Sequence, residues 1–307
     1  MRILVTGGGG FVARYAAAEL ASHGHRVMLT AHRGGGVLHA GRRWPLLPCD
    51  LRKRSAVERL IRTTRPDGVL HLAGHSRSHG SSPVAEAFES NVLPTLELCR
   101  SLSHRSRSTT FLLSSTAFVY APNKSQSTLD ENSPVGPWTA YGASKLAAEH
   151  VVTAHESGHF HGYVTRAFNH IGPAQSPDFV CVALARRMAR ANAGDTIPVG
   201  NLAAVRDFSD VLDIVRAYRL VFERRPQERF FVLGSGKATR INTIFSMLLT
   251  IAEKPLSVKR TPSLMRRTDP AAILADARLA RRRLGWYCRI PLDQTLREIY
   301  LEQLRQR

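Results

Sequence analysis

Val5-Thr6-Gly7-Gly8-Gly9-Gly10-Phe11-Val12-Ala13 joins an apolar run, Arg2–Thr6, to a helical pattern, Phe11–His23. A strand that turns through glycines into a helix opens a βαβ unit. Glycine at position 7 permits the tight turn. Glycine at position 10 lets the backbone approach a pyrophosphate, which the free N–H groups and dipole of a helix N-terminus attract. Ala13 stands where such loops usually carry a third glycine, and it is small enough for the helix to pack on the strand. With a strand before it and a helix after it, the stretch implies a dinucleotide-binding turn, with Phe11 and Val12 beside the cofactor.

The pattern repeats outward from this turn. Strands are expected at Arg26–Ala31, Trp44–Pro48, Gly68–Ala73, Thr110–Leu113 and Gly162–Ala167. Helices are expected at Ser55–Thr64, Val84–Arg100 (interrupted at Pro94) and Tyr141–Ser157. Short connections between alternating strands and helices imply a doubly wound parallel sheet of Rossmann type. The longest irregular stretch, Ala121–Pro137, reads as a functional loop. After Ala167 the alternation weakens. Helices at Phe179–Ala193, Val211–Arg224 and Ile241–Ala252, a strand at Arg229–Leu233 and a helical tail from Asp276 broken at Gly285-Trp286 imply a smaller, partly interleaved C-terminal domain. The expected division gives residues 1–168, with a returning segment at about 207–235, to the cofactor, and 169–206 with 236–307 to the substrate.

The 307 residues carry 43 Lys+Arg against 24 Asp+Glu, a net charge of +19, with 43% apolar residues. That apolar content excludes a disordered chain, and no apolar run approaches the ~18 residues a membrane span needs. Met1 to Val5 is too short for a signal-peptide core, so none is expected. Four scattered cysteines, Cys49, Cys99, Cys181 and Cys288, show neither paired nor metal-type spacing. They point to free thiols in a reducing cytoplasm and to no metal site. The charge invites a nucleic-acid reading, but arginine dominates it and is spread along the whole chain. The densest clusters, Arg52-Lys53-Arg54 and Arg281-Arg282-Arg283, fall on helices as solvated faces. Without interleaved aromatics, nucleic acid is not expected as a partner.

The end of the second strand selects the cofactor. An acidic residue there would bond the ribose 2′-OH, whereas this chain has Thr30-Ala31-His32-Arg33. Arg33 with His32 is suited to a 2′-phosphate, which favours NADP(H) over NAD(H). Tyr141-Gly-Ala-Ser-Lys145 then places a phenol and an ammonium on one helix face. The ammonium is expected to lower the phenol's pKa from about 10, so that Tyr141 exchanges a proton with a carbinol/carbonyl pair. Thr116, at the carboxyl end of a central strand, is placed to hold the substrate oxygen.

These residues, with Asp50-Leu51, His71-Leu72-Ala73-Gly74, Asn91, Ser115-Thr116 and Val119-Tyr120, resemble the extended short-chain dehydrogenase/reductases, the NAD-dependent epimerase/dehydratase family. Enzymes of that family act on nucleotide sugars. The resemblance implies that Asp50 and Leu51 flank the adenine and that Leu72, Ala73 and Gly74 line the cofactor. It implies that Lys145 also bonds the nicotinamide ribose, and that Thr116, Tyr141 and Lys145 form the catalytic set. Further on, Arg166-Ala-Phe-Asn169 through Phe179-Val180, Val199-Gly200-Asn201, Arg206-Asp207-Phe208, Gly234-Ser235-Gly236-Lys237 and Met265-Arg266-Arg267-Thr268-Asp269 resemble the GDP-4-keto-6-deoxy-mannose reductases and GDP-mannose 4,6-dehydratases. By that resemblance Arg206 and Arg266 grip the nucleotide diphosphate, and Asn169, Val180 and Gly200 contact the substrate. It also implies a homodimer through a four-helix bundle.

Dehydratases of this kind need a carboxylate two residues before the tyrosine at 120, and Phe118 stands there. Phenylalanine exchanges no protons, so 4,6-dehydration is disfavoured. The expected activity is NADPH-dependent reduction of the C4 keto group of a nucleotide-linked 4-keto-6-deoxy sugar, of the kind that turns GDP-4-keto-6-deoxy-mannose into a GDP-rhamnose type product. The alternatives are a 4-epimerase with tightly held NAD, then the disfavoured 4,6-dehydratase, and, in a different class, a non-enzymatic NADP-binding regulator. The latter would have no need of the Thr116, Tyr141 and Lys145 set.

Overall fold

In the computed structural model, residues 1–75, 83–121, 128–265 and 272–306 are described. Strand β1 (Arg2–Thr6) leads into α1 (Phe11–Ser22), and β2 (Arg26–Ala31) follows. A hairpin of β3 (Gly35–His39) and β4 (Arg42–Pro48) precedes α2 (Arg54–Thr64), β5 (Gly68–His71) and α3 (Val84–Ser103). Next come β6 (Thr109–Thr116), the short β7 (Thr128–Leu129), α4 (Ala140–Ala154) and β8 (Phe160–Ala167). The second half begins with β9 (Asn169–Ile171), α5 (Val180–Arg190), β10 (Thr196–Val199), β11 (Val205–Arg206) and β12 (Phe208–Asp210). It continues with α6 (Val211–Arg224), β13 (Phe230–Leu233), β14 (Thr239–Arg240) and α7 (Ile241–Ala252). Last come β15 (Ser257–Arg260), β16 (Ala272–Ala275), α8 (Arg278–Leu284) and α9 (Leu292–Arg305).

The main sheet has the order β13-β8-β6-β5-β1-β2-β4-β3. Its pairs are parallel except for β3 with β4. Central strands such as β6 are buried along nearly their whole length, because helices cover both faces. On one face α1, α6 and α8 pack around Leu20, Tyr218, Phe222 and Trp286. On the other, α2, α3 and α4 pack around Leu60, Leu98, Phe111 and Val152. This is a doubly wound Rossmann-type fold. The strand order reverses between β1, β2 and β5, and the crevice at their carboxyl ends is where such sheets take ligands. A separate apolar cluster, with Met188, Ile244, Leu248 and Ile299, joins α5, α7 and α9 in the C-terminal half.

Two sequence readings need correction. Gly35–His39, where no strand is expected, forms β3, because Ala40 and Gly41 (φ 49° and 72°) close a tight hairpin and set Val37 opposite Trp44 on the buried side. Pro94 does not interrupt α3, which runs from Val84 to Ser103. The missing N–H costs one helical bond, offset by burial of Ala87, Asn91, Leu98 and Leu102 along one face. In the expected loop at 121–137, Thr128–Leu129 pairs with β16, tying the loop's end to the C-terminal half.

Candidate active site

The glycine turn is shaped by close approach. A Cβ on Gly7 (φ +69°) would lie 2.8 Å from the backbone nitrogen of Ala73, so the turn and the loop after β5 meet backbone to backbone. Thr6 Oγ1 locks that meeting by accepting from the N–H groups of Leu72 (3.2 Å) and Ala73 (3.0 Å). Its own proton goes to His71 Nδ1 at 2.7 Å, and His71 Nε2 donates to Thr95 at 3.1 Å, an assignment that the two accepted bonds dictate. Burial drives His71 down to about 3, with the Lys145 charge adding to the effect, so the imidazole is neutral. Gly74 leaves room for Asn91, whose Oδ1 would lie 2.3 Å from an added Cβ. Gly10 begins α1 with no capping side chain, and no acidic residue lies in the first turn. Those open N–H groups, and the glycine cradle that side chains would fill, suit a pyrophosphate.

Phe11, expected beside the cofactor, stacks on His170 (ring centroids 6.4 Å apart) and contacts Tyr15 edge-on. Val12 is half-buried next to it. At the end of β2, His32 and Arg33 are exposed. His32 Nδ1 lies 4.0 Å from Asp50. The Arg52 guanidinium grips both oxygens of Asp50 (2.9 and 3.0 Å) and holds its carboxyl near 2, against the opposing effect of burial. Asp50 is thus paired with Arg52, which leaves the exposed His32 and Arg33 as a basic edge at the end of β2. Leu51 is buried in the core, so it can offer its backbone rather than its side chain.

Helix α4 carries the Tyr141–Lys145 pair. Thr139 caps it by accepting from Gly142 N at 3.0 Å. Gly142 is required by proximity: a Cβ there would lie 2.2 Å from the carbonyl oxygen of Phe118. The helix therefore docks directly on the turn after β6, bringing Tyr141 to the Thr116 hydroxyl. Thr116 also accepts from Phe118 N at 3.3 Å. Asn91 ties this helix to the loop after β5, donating to Ser144 Oγ at 2.9 Å and accepting from His75 N at 3.0 Å. Ser144 in turn donates to the Tyr141 carbonyl at 2.8 Å.

The electrostatics differ from the sequence expectation. Burial pushes the Tyr141 phenol up to about 12, and the Thr116 hydroxyl draws it only partly back. Burial also brings the Lys145 ammonium down to about 8, against the pull of Glu149. Desolvation, rather than lysine's charge, dominates the phenol, so Tyr141 is held protonated as a donor. Around it stand Phe118 and Trp138, with ring centroids 6.0 Å apart and Phe118 6.1 Å from Tyr141. Trp138 escaped sequence reasoning, since a lone tryptophan in a Pro-rich stretch carries no periodic signal.

The expected substrate residues are dispersed along the C-terminal half. Asn169 donates to the Asp207 carbonyl at 3.2 Å, and Val180 opens α5, half-buried. A Cβ on Gly200 would lie 2.3 Å from the Leu264 carbonyl, so this glycine serves close packing between two loops. Arg206 is buried and donates to its neighbour Val205's carbonyl at 2.7 Å. Arg266 lies outside the described residues. Asp207 emerges as a clamp that sequence alone did not disclose, accepting from Ser235 N, Ser235 Oγ, Gly236 N and Ala275 N at 2.6–3.1 Å.

A glycine cradle beside a Thr-Tyr-Lys set, at the switch point of a doubly wound sheet, defines an NAD(P)-dependent oxidoreductase of the short-chain dehydrogenase/reductase class. The family model described as GDP-mannose 4,6 dehydratase matches residues 4–299, and the chain belongs to that family. GDP-6-deoxy-D-mannose reductase of Pseudomonas aeruginosa is 31% identical over 306 residues, covering 97% of this chain and 95% of that protein. UDP-glucose 4-epimerase of Corynebacterium glutamicum is 28% identical over 310 residues, covering 93% and 90%. The solved structure of RMD from Pseudomonas aeruginosa complexed with NADPH matches over 100% of both chains, with a TM-score of 0.83 and 28% identity. Among the described residues no helix is long and apolar enough to cross a membrane.

Proposed function

We propose that this protein reduces the C4 keto group of a nucleotide-linked 4-keto-6-deoxy sugar, with a GDP-linked sugar as substrate and NADPH as the preferred cofactor. The observation that supports the reading is the hydrogen bond of Tyr141 to Thr116, with Lys145 one turn further along α4, beside an aromatic wall of Phe118 and Trp138 and with no carboxylate at position 118 to serve as a C5 base. The nicotinamide cofactor, when bound, supplies the hydride. Gly7, Gly10, Leu72, Ala73 and Gly74 form its cradle, and Arg33 with His32 meets the 2′-phosphate. Thr116 orients the ketone oxygen, and Tyr141, protonated at neutral pH, donates the proton to it. Lys145 bonds the nicotinamide ribose and supplies the charge that stabilises the phenolate left behind. Arg206 and Arg266 grip the diphosphate, with Asn169, Val180 and Gly200 along the substrate path. Residues 1–168 and about 207–235 serve the cofactor and the remainder the substrate. Helices α3 and α4 pack together, and α3 exposes Val84 and Leu93. That surface supports a homodimer built on these helices.

The test is NADPH oxidation against GDP-, UDP- and dTDP-linked 4-keto-6-deoxy sugars. Turnover with the GDP sugar is expected, and Tyr141→Phe should abolish it while NADPH still binds. Similarity to UDP-glucose 4-epimerases favours a second reading, a 4-epimerase with tightly held NAD. Cofactor released from the purified, denatured protein separates the two: stoichiometric NAD means epimerase, exchangeable NADPH means reductase.

A further inference from the structure

Behind the candidate site lies a buried ionic cluster that the proposed mechanism leaves unused. Glu149 follows Tyr141 and Lys145 on the same face of α4, one helical turn beyond the lysine, and is 2% exposed. Ser115, adjacent to Thr116 in β6, donates to Glu149 Oε1 at 2.5 Å. Arg166, buried in β8, reaches Glu149 through Nη2 at 2.8 Å and through Nε at 3.2 Å to both oxygens. Arg166 is held in turn by the Tyr120 hydroxyl (3.4 Å), the Glu131 carbonyl (3.2 Å) and the ring faces of Tyr120 and Phe230. The carboxylate thus joins three elements, β6 with Thr116, α4 with Tyr141 and Lys145, and β8.

We propose that Glu149 is a positioning residue for the reaction: from one turn behind Lys145 its carboxylate keeps the buried ammonium charged, while Ser115 and Arg166 fix that carboxylate in place. The proposal rests on the reductase reading only for its consequence in turnover. His71 from β5, held neutral mainly by burial, feels the Lys145 charge; Tyr141, the neutral phenol, lies one turn before Lys145 on the same helix, and Arg166 from β8, bonded to Glu149, offsets part of the carboxylate's field. Among the described residues no carboxylate lies within 4 Å of the Lys145 nitrogen. Glu149, one helical turn on, acts on the ammonium from beyond that distance and raises its proton affinity, while burial of the ammonium works more strongly in the opposite direction. A short bond to the residue beside Thr116 adds a geometric role, since motion of the carboxylate would move both the strand end and the helix.

The test reads Lys145 directly, without substrate. The chain holds six lysines, Lys53, Lys124, Lys145, Lys237, Lys254 and Lys259. With ε-13C-lysine labelling, the Lys145 resonance is assigned by its loss in Lys145→Arg and titrated in the full-length protein. In Glu149→Gln its proton affinity should fall about tenfold or more. The alkaline limb of kcat/KM should move towards neutral pH by the same amount. Glu149→Asp keeps the charge, so its titration should stay within about threefold of the parent. Should Glu149→Gln fail to fold because Arg166 is left unpaired, Glu149→Gln with Arg166→Met takes its place; it removes the paired cation as well, so a smaller fall in the same direction is expected. An unmoved Lys145 titration in the folded neutral variant overturns the proposal, as does an Asp variant shifted as far as Gln. If the titration shifts but no 4-keto sugar is turned over, the electrostatic role stands and the reductase reading fails.

Discussion

Gly142→Ala is the most exacting test of how the site is assembled. An added Cβ would lie 2.2 Å from the Phe118 carbonyl oxygen, 3.0 Å from its carbon and 3.1 Å from Pro137 Cβ. The nearest atom is backbone in the turn just after the buried strand β6, so no flexible side chain can swing away. Restoring even 3.0 Å requires the first turn of α4 and the turn after β6 to separate by about 0.8 Å. That separation falls between Thr116 and Tyr141, whose approach orients the substrate oxygen. A displacement near 1 Å at a reacting pair lowers kcat by about 10²-fold, or about 2.7 kcal/mol in the barrier. Overpacking a buried contact also lowers stability by about 1–3 kcal/mol. Gly158→Ala serves as control, since a Cβ there meets nothing within 4 Å. The assay is steady-state NADPH oxidation with the active 4-keto sugar, alongside thermal melts of both variants. Full kcat in Gly142→Ala, with the control equally active, would refute the claim that backbone contact between helix and strand end sets the catalytic distance.

Further outcomes follow from the same geometry. Arg33→Ala should weaken NADPH binding about tenfold while leaving NADH within about twofold, measured by cofactor fluorescence titration; equal loss for both would remove the 2′-phosphate role. Phe118→Ala should raise KM for the 6-deoxy sugar by about tenfold with NADPH affinity unchanged, and an unaltered KM would show that the aromatic wall does not touch substrate. His71 is neutral in the fold, at about 3, but titrates near 6.5 when unfolded. Its folded pKa is depressed, so the stability it contributes is present above 6.5 and is lost as pH falls towards 3, at about 1.4 kcal/mol per unit. Melts from pH 7 to 4 should show this slope reduced in His71→Gln; an identical acid slope would assign it to other groups.

Much of the fold was legible because its signals are local. The glycine turn between β1 and α1, the buried apolar strand β6 and the Tyr141–Lys145 spacing each fall within a few residues, where period and turn chemistry act. Trp44–Pro48 is legible as a strand, but its hairpin partner β3 is not, because the evidence for it is a pairing, Val37 against Trp44, that appears only once the chain folds back. Pro94 was overweighted because local propensity takes no account of the face that tertiary packing buries.

Sequence alone determined the doubly wound class, the glycine turn between β1 and α1 and the Tyr141–Lys145 spacing, since these depend on chemistry carried by short segments. Tertiary structure decided what those groups experience. Desolvation, which no short segment encodes, keeps the Tyr141 phenol protonated and lowers Lys145, reversing the influence expected from their spacing. It also brought Glu149, Ser115 and Arg166 from three separate elements into one buried cluster. Charges distant in sequence interact strongly only when folding removes the water between them.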